Sequence, residues 1–396
     1  MHRDADVAIV GAGPAGCAAA IRLGRVGYRV LLLDRAVFPR DKPCGDYCDP
    51  GAVAILAGLG SLPAVRGAGA APIEGMRIVA QDGTSIRPRF PTGVGLLIRR
   101  LTLDAELVRT AVHAGVEMRE QTRVLGAHCE RDRITLQIDR PPGTVTAALA
   151  IVCDGMHSTL GQHLGLLAPI PPRRYTVGAY FSGLGGPPQG ELHLGAGMYC
   201  GVARFGNGLA NVCMALPRPS LRRRAADRAF ADSLQAFPRL ADELAPARLE
   251  SRYRSSGPIG FRVNRMVADR LLLAGDAAAQ IDPMTGQGIY FALRSGVLAA
   301  ETAASALVTG DLTASQLAPY VSRRRAVFGS KLRAARALQF LALHRRLTPA
   351  LIRRLRARPS LASQLIGATG DVWPSNWIFS LQHIWELLAG RDADGA

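Results

Sequence analysis

Three glycines near the N-terminus have the spacing of a phosphate-binding turn. Gly11, Gly13 and Gly16 form a G-x-G-x-x-G pattern directly after the apolar run Val7 to Val10. In such turns the first glycine makes the tight bend, the second lets backbone approach a pyrophosphate, and the third lets a helix pack closely on the strand. The following helix offers free N–H groups and a positive dipole end to phosphate. The pattern therefore predicts dinucleotide binding.

The elements that must position these glycines follow in order. Val7 to Val10 is rich in β-branched residues and suits a buried parallel strand, and a helix is predicted from about Pro14 to Val26. A second apolar strand, Arg29 to Leu33, ends in Asp34. Asp34 lies about 20 residues beyond the glycines, where an acid hydrogen-bonds an adenosine ribose. Strand, turn, helix, strand and acid together predict a Rossmann-type domain.

A second glycine-rich pattern follows an apolar strand much later in the chain. Its residues are Gly275, Asp276, Pro283, Gly286, Gly288 and Ile289. It resembles the second FAD fingerprint of flavoproteins with the p-hydroxybenzoate hydroxylase fold. Asp276 can accept hydrogen bonds from the ribityl hydroxyls, and a helix from Gly288 to about Ala306 would point its positive end at the flavin ring. Together the two patterns predict non-covalent binding of FAD.

The loop after Asp34 contains Lys42-Pro-Cys44-Gly45. This segment resembles the Lys-x-Cys-Gly segment of the geranylgeranyl reductases, a branch of the same fold. The resemblance implies that the loop lies beside the isoalloxazine ring and makes Cys44 a catalytic candidate. Alternatively, Cys44 and Cys48 could form a redox pair, which would require a loop or helix that brings the two residues together.

Two further segments resemble the family. The helix opening near Leu97 places Arg100 at the position of an arginine that contacts the cofactor, although a helix-surface charge is the alternative. Asp154-Gly155 resembles the Asp-Gly motif of single-component flavin hydroxylases, which serves FAD and NAD(P)H, with Cys153 in place of the usual alanine. The predicted cofactor-binding residues are Gly11, Gly13, Ala15, Gly16, Asp34, Arg35, Cys44, Gly45, Arg100, Asp154, Gly155, Gly275, Asp276, Pro283, Gly286, Gly288 and Ile289.

The stretch from Tyr175 to Leu216 is rich in β-branched and aromatic residues and follows an expected chain break at Pro169 to Pro172. It predicts an antiparallel sheet, which in the family roofs the substrate pocket, with His193 and Tyr199 as catalytic candidates facing that pocket. Tyr199 to Arg204 lacks the Trp and Pro of the Tyr-x-Trp-x-Phe-Pro pattern in prenyl reductases. The Trp-x-Trp-x-Ile-Pro pattern of tryptophan-type flavin halogenases is also absent.

The predicted fold class is α/β: a Rossmann-type FAD-binding domain with an inserted antiparallel β-sheet substrate domain and a helical C-terminal region. The FAD-binding domain is assigned to residues 1–71, 95–168 and 256–325. The substrate domain is assigned to residues 72–94 and 169–255, and the C-terminal region to residues 326–396.

Composition indicates a folded protein. The chain has 396 residues, of which 48% are hydrophobic and 20% charged. We expect no signal peptide and no membrane-spanning segment, because no stretch reaches about 18 uncharged apolar residues. The seven cysteines form no metal-type C-x-x-C pair, so a metal site is not expected and a reduced cytoplasm fits best.

The net charge is +17, almost all of it from arginine. Leu312 to Gly370 contains twelve Arg or Lys residues and no Asp or Glu. This basic stretch could be a solvated helix surface, or it could meet an acidic carrier protein or, as peripheral contact, an anionic membrane. Nucleic acid is not an expected partner, since no nucleic-acid fold signature accompanies the charge.

Three functions fit an FAD-dependent protein with these motifs. The first is a monooxygenase that hydroxylates or epoxidises an apolar, aromatic or polyketide-like small molecule through a flavin C4a-hydroperoxide; the missing Trp and Pro favour it. The second is a geranylgeranyl reductase-like reduction of an isoprenoid C=C bond, and the third is a non-catalytic flavin carrier. Because the sequence has a single G-x-G-x-x-G pattern, NAD(P)H must visit transiently as reductant, or a partner flavin reductase must supply the electrons.

Overall fold

A computed structural model describes residues 3–217, 225–279, 282–344 and 347–379 of the chain. The strands are β1 (Ala5–Val10), β2 (Val30–Leu33), β3 (Tyr47–Cys48), β4 (Ala71–Ile73), β5 (Met76–Val79), β6 (Ser85–Ile86), β7 (Gly95–Leu97), β8 (Glu117–Arg119), β9 (Val124–Cys129), β10 (Ile134–Asp139), β11 (Pro142–Val152), β12 (Leu167–Ser182), β13 (Gln189–Leu194), β14 (Tyr199–Arg204), β15 (Ala210–Pro217), β16 (Arg248–Leu249), β17 (Arg254–Val263), β18 (Val267–Ala268) and β19 (Leu271–Leu273). The α-helices are α1 (Pro14–Arg25), α2 (Pro50–Gly58), α3 (Leu62–Gly67), α4 (Arg100–His113), α5 (Thr159–His163), α6 (Ala226–Leu234), α7 (Pro238–Leu244), α8 (Gly288–Thr309), α9 (Ala314–Leu317), α10 (Pro319–Ala342), α11 (Leu347–Arg356) and α12 (Pro359–Thr369).

The first sheet carries the parallel strands in the order β19-β11-β1-β2-β8. β2 and β19 are buried along their whole length, which explains why both are continuous apolar runs without alternation. β18 adds an antiparallel edge next to β19, and β9 and β10 extend from β11. This sheet confirms the predicted Rossmann-type α/β fold.

Two helices, α1 and α8, cover one side of this sheet and pack against each other. A side chain at Gly296 of α8 would come within 2.1 Å of the Ala15 carbonyl oxygen, so the glycine lets the two backbones approach closely. α8 is the one helix of the described residues that is long and apolar enough to cross a membrane, and 61% of its most apolar window is buried inside the protein. Its contacts with α1 are those of a core helix.

The second sheet is mainly antiparallel and has the order β16-β12-β15-β14-β13-β5-β6, with β17 also paired to β12. β5 joins β13 in parallel, which brings the segment near Met76 into this sheet. Alternate residues of β12, β14 and β15 pack with α6 and α7 into one apolar cluster. We call this side of the sheet the outer face and the opposite side the cavity face.

The structure corrects two expected boundaries. The predicted break at Pro169 to Pro172 is wrong, because β12 runs through it. Proline and the residue before it favour extended backbone, and the pairing with β17 merely shifts register between Pro169 and Arg174. The chain also stays in the second sheet beyond Ser256, through β17, and re-enters the first sheet at β18. Residues 380–396 of the predicted C-terminal region lie outside the described residues.

Candidate active site

The glycines of the first turn have different local reasons to be glycine. Gly11 has a φ of 101°, and a side chain there would come within 2.4 Å of the Cys153 carbonyl oxygen. A side chain at Gly16 would come within 1.8 Å of the Gly11 carbonyl oxygen. At Gly13, by contrast, the nearest atom is Nη2 of Arg40 at 3.7 Å. Gly11 and Gly16 are therefore required by chain packing, whereas Gly13 leaves open space at the start of α1.

Asp34 lies at the end of β2, as predicted, and is 8% exposed. Its Oδ2 accepts a hydrogen bond from the Ala12 amide at 2.8 Å, and its Oδ1 accepts one from the Ala36 amide at 2.9 Å. The carboxylate thus fixes the glycine turn against the following loop. The side chain of Arg35 is exposed to solvent beside this loop.

A network of alternating charges lies next to the glycine turn. Arg100, the first residue of α4, donates from Nε and Nη2 to the two Asp104 oxygens, each at 2.8 Å. Arg40 donates to the same carboxylate at 2.9 Å, and its Nη2 is 4.0 Å from Asp34. Arg100 is 5% exposed, so the alternative of a helix-surface charge is wrong. The two guanidinium groups are matched by the two carboxylates of Asp104 and Asp34, so the network fixes the position of these side chains beside the glycine turn without adding net charge.

The second glycine pattern meets the first one in space. A side chain at Gly275 would come within 2.8 Å of Cβ of Ala15, and the Gly275 amide donates to the Ser295 hydroxyl at 2.7 Å. Oδ2 of Asp276 lies 3.7 Å from Nζ of Lys42. A side chain at Gly288, where α8 begins, would meet nothing within 4 Å. The positive end of α8 is therefore open toward the same space.

Asp154 and Gly155 follow β11 and lie beside Lys42. Burial raises the pKa of the Asp154 carboxyl, while hydrogen bonds from the Ser158 side chain and the Leu160 backbone, and more weakly the charge of Arg35, oppose that effect. Its Oδ1 is buried and has no hydrogen-bond partner among the described residues. A hypothetical side chain at Gly155 would lie 3.6 Å from Nζ of Lys42. A buried acceptor without a donor is costly, so this carboxylate is suited to a ligand hydroxyl or amide.

The loop that contains Cys44 is held by Asp46, which is fully buried and has a φ of 56°. Asp46 accepts hydrogen bonds from the Arg100 amide at 3.0 Å, the Tyr180 hydroxyl at 2.5 Å and the Asn211 amide at 2.7 Å. Asn211 also donates to the Cys44 carbonyl oxygen at 2.7 Å. Burial raises the pKa of Asp46 to about 6, and the three donors limit that rise.

Cys44 and Cys48 are both free thiols, and Cys48 is fully buried in β3. Burial raises the pKa of both thiols. Because the thiolate is the reactive form, this environment keeps the sulfur atoms protonated and disfavours disulfide exchange. The structure therefore offers no support for the alternative that the two residues form a redox pair.

A cavity of about 330 Å³ adjoins these elements. At the end nearest the glycine patterns it is lined by Pro14, Lys42, Cys44, Gly45, Arg100, Asp276, Pro283, Gly286, Gly288 and Ile289. Its other walls are the cavity face of the second sheet and helices α10, α11 and α12. Predicted cofactor residues and the predicted substrate sheet therefore share one space.

Of the two catalytic candidates on the second sheet, only Tyr199 lines this cavity. Its hydroxyl donates to Asp282 at 2.5 Å, and Asp282 also pairs with Arg174 at 3.1 Å. The prediction that His193 faces the pocket is wrong, because Nε2 of His193 lies 2.8 Å from Glu191 on the outer face. The His193 ring packs edge-on against Phe237, the residue before α7.

The open space at Gly13, the free ends of α1 and α8, and the unpartnered Asp154 oxygen all fit FAD. When bound, FAD supplies two-electron chemistry by accepting and delivering a hydride. The FAD binding domain family matches residues 4–180 and 211–335. The chain belongs to this family. FAD is therefore the cofactor, as predicted.

Several relatives are reductases by name. The menaquinone reductase of Mycobacterium tuberculosis is 34% identical over 316 residues, covering 75% of this chain and 76% of the relative. Digeranylgeranylglycerophospholipid reductase 1 of Methanothermobacter thermautotrophicus is 26% identical over 347 residues, covering 84% and 85%. The protein is an FAD-dependent oxidoreductase, which confirms the predicted enzyme class and replaces the hypothesis of a non-catalytic carrier.

Solved structures share the fold at lower identity. A flavoprotein/dehydrogenase from Cytophaga hutchinsonii has a TM-score of 0.81 at 19% identity, covering 97% of this chain and 98% of that one. A flavin-dependent halogenase has a TM-score of 0.79 at 22% identity, covering 96% and 78%. These likenesses confirm the predicted fold.

Sequence reasoning missed the residues that organise the site through tertiary contacts. They are Arg40, Asp46, Asn211 and Asp282. Asp46 directly follows the Lys-x-Cys-Gly segment, and Asp282 directly precedes Pro283, so both could have been suspected from their position. Arg40 and Asn211 carry no comparable local signal, because their partners lie on other elements.

Proposed function

We propose that this enzyme reduces a carbon–carbon double bond in the isoprenoid chain of an apolar lipid. The observation that carries the proposal is the lining of the cavity beyond its cofactor end. That part is mostly aliphatic, with Tyr199, Thr348 and Thr369 among its polar residues. Its aliphatic residues are Ile78, Ile86, Leu192, Leu194, Leu338, Leu351, Ile352, Leu355, Leu365 and Ile366. Each CH₂ group of a substrate buried there contributes about 0.8 kcal/mol to binding.

The named relatives support this choice. Menaquinone and digeranylgeranylglycerophospholipid have different polar heads, but both carry isoprenoid chains. Recognition of such a chain would use the aliphatic lining of the cavity in this protein, whatever the head group. These relatives lead us to prefer isoprenoid reduction over the oxygen insertion that the missing Trp and Pro alone favour.

Reduction of a C=C bond requires a proton as well as a hydride, and Cys44 is placed to hold that proton at Sγ. Cys44 lines the cavity at its cofactor end, and burial keeps the thiol protonated by raising its pKa. Tyr199 also lines the cavity, but its hydroxyl proton is directed at Asp282. We therefore assign proton donation to Cys44 and a positioning role to Tyr199.

The electrons come from NAD(P)H in this proposal. The sequence carries one G-x-G-x-x-G pattern, and that pattern fits the FAD pyrophosphate. A nicotinamide would therefore bind transiently, with a partner flavin reductase as the alternative source of electrons.

Oxygen insertion is the second candidate because of one observation. The segment from Tyr199 to Arg204 has Gly201 and Ala203 on the cavity wall, where the prenyl reductase pattern has larger residues. These small side chains leave room for an aromatic or polyketide-like substrate. In that case the enzyme would insert oxygen into the bound substrate and would not reduce a C=C bond.

One pair of incubations separates the two candidates. Reduced holoenzyme is mixed with menaquinone or a geranylgeranylated lipid without oxygen, and a parallel sample receives labelled oxygen and an aromatic substrate. We expect the lipid product to gain two hydrogens anaerobically. Incorporation of one labelled oxygen, with no anaerobic turnover, would instead establish the monooxygenase. Cys44→Ala should lose lipid reduction, while Cys48→Ala, which changes a thiol outside the cavity lining, should retain it.

A further inference from the structure

We infer that one exposed side of α10 and the start of α11 docks on an anionic membrane surface. This docking face consists of Arg333, Arg336, Phe340, His344 and Leu347. The inference extends the proposed function, because a membrane lipid must reach the cavity, but it rests on separate observations.

The spacing of these residues places them on one side of the helix. Arg333, Arg336 and Phe340 are three or four residues apart on α10, His344 follows two residues after that helix ends, and all four side chains are exposed. Phe340 is 71% exposed and is the one aromatic among the large exposed apolar residues of the described chain. Leu347, where α11 begins, is 43% exposed. The His344 ring lies 6.4 Å from the Phe340 ring.

Exposed apolar residues among basic ones are typical of helices that lie in a membrane interface. Leu312 to Gly370, which contains the docking face, has twelve Arg or Lys residues and no acidic residue. Some of these charges are already paired within the protein, as Lys331 is with Asp371 and Arg353 with Asp82. Arg333 and Arg336 extend into solvent beside Phe340, and this combination of charge and apolar surface complements an anionic bilayer.

The same two helices also wall the cavity. Leu338 and Ala342 of α10, with Leu351 and Leu355 of α11, line the cavity on the inner side. Docking through the outer side would therefore leave a single helical layer between the bilayer and the aliphatic lining. An isoprenoid chain leaving the membrane would pass directly into an apolar environment.

The test uses full-length holoenzyme, flotation and two kinds of vesicle. One kind contains phosphatidylcholine alone, and the other also contains phosphatidylglycerol. We expect binding to the anionic vesicles and its loss at high salt, because surface charges are screened. Phe340→Ser should weaken binding about tenfold through loss of apolar burial. The double variant R333Q/R336Q should weaken it by at least as much, since each basic residue near an anionic surface contributes about fivefold.

Two controls match these changes. Val308→Ser removes an apolar side chain that is 81% exposed but lies outside the basic stretch. R123Q/R131Q removes the same charge from exposed positions that flank β9 on either side. Both should bind like the parent protein.

Equal binding by Phe340→Ser and the parent would overturn the inference, as would equal losses in R333Q/R336Q and R123Q/R131Q. Binding to an acidic carrier protein together with no binding to anionic vesicles would also overturn it. The assay contains no substrate, so its failure is distinct from a failure of the proposed lipid reduction.

Discussion

The two faces of the second sheet bury polar groups for different purposes. On the cavity face, Tyr180 and Asn211 donate hydrogen bonds to Asp46 and thereby hold the loop that contains Cys44. On the outer face, Glu191 is bound by His193 at 2.8 Å and by Arg204 at 2.7 Å, beneath α7. The cavity face uses neutral side chains to position a loop, whereas the outer face uses ion pairs to join the sheet to its covering helices.

The pKa values of the two carboxyls follow from this difference. Burial raises the pKa of Asp46 to about 6, because neutral donors compensate only partly for lost hydration. Burial also acts to raise the pKa of Glu191, but His193 and Arg204 outweigh it and lower the pKa to about 2. Buried carboxyls that contact opposite faces of one sheet can thus have opposite effects on stability.

The largest expected effect is on the outer face. Glu191→Ala should lower the free energy of unfolding by about 3–5 kcal/mol, because it removes the buried anion of this cluster and leaves Arg204 only its contact with Glu243. Calorimetry would measure the loss, and the flavin content of the folded fraction should not change. Glu243→Gln alters a carboxyl with a half-exposed side chain in the same network and should cost much less. A Glu191 variant that loses flavin but keeps its stability would contradict the assignment of the outer face to stability and the cavity face to the cofactor loop.

Acid titration should separate the two carboxyls. The Glu191 pKa is lower in the folded state, so its stabilisation of about 3 kcal/mol is complete above its unfolded pKa of about 4.3 and is lost as pH falls toward 2. The Asp46 pKa is higher in the folded state, so Asp46 opposes folding most above pH 6 and least below about pH 4.

Between pH 7 and pH 4 the parent protein should therefore gain about 2–3 kcal/mol relative to Asp46→Asn. Denaturant unfolding at a series of pH values would measure this gain. A pH-independent difference between the two proteins would show that Asp46 does not titrate in this range.

Asn211→Leu should affect flavin affinity more than stability, which is the reverse of what we expect for Glu191→Ala. It removes the donor to the Cys44 carbonyl and to Asp46, so the loop is no longer fixed to the sheet. We expect flavin affinity to fall about ten- to hundredfold, with a smaller loss of stability than in Glu191→Ala. Flavin fluorescence titration would measure the affinity. Asn207→Leu, in an exposed turn between β14 and β15, is the matched control.

The smallest expected effects distinguish the two former catalytic candidates. Tyr199→Phe should lower kcat/KM about tenfold, since Asp282 loses one hydrogen bond at the cavity wall. His193→Leu should leave kcat/KM within about twofold and cost about 1 kcal/mol of stability. Steady-state kinetics beside thermal unfolding would show both. Lost turnover at unchanged stability in His193→Leu would return that residue to the active site.

The error at His193 shows where sequence reasoning stops. Leu194 lies opposite Tyr199 in the antiparallel ladder, and His193 lies opposite Cys200. Because side chains alternate along a strand, His193 and Tyr199 must point to opposite faces. Alternation within each strand was readable from the sequence, but the register between the strands was not.

The cofactor half was far more predictable because its signals are local. The turn at Gly11 to Gly16 and the Gly275 pattern each lie within a short stretch, and their spacing carries the physical requirement. Asp46, Arg40 and Asn211 act through partners on other elements, with Asn211 reaching Cys44 from 167 residues away. Contacts of that kind follow from the fold and leave no periodic trace in the sequence.

The contact between Ala15 and the Gly275 and Gly296 positions has a consequence for synthesis of the protein. The first fingerprint is made long before the second, with roughly 10 to 50 s between them at about 5–20 residues per second on the ribosome. During that interval α1 lacks its partner α8, and only the first of the two glycine patterns that form the cofactor-binding site is present. The nascent chain must therefore keep the Ala-rich surface of α1 from other contacts until the last strand of the first sheet and α8 arrive.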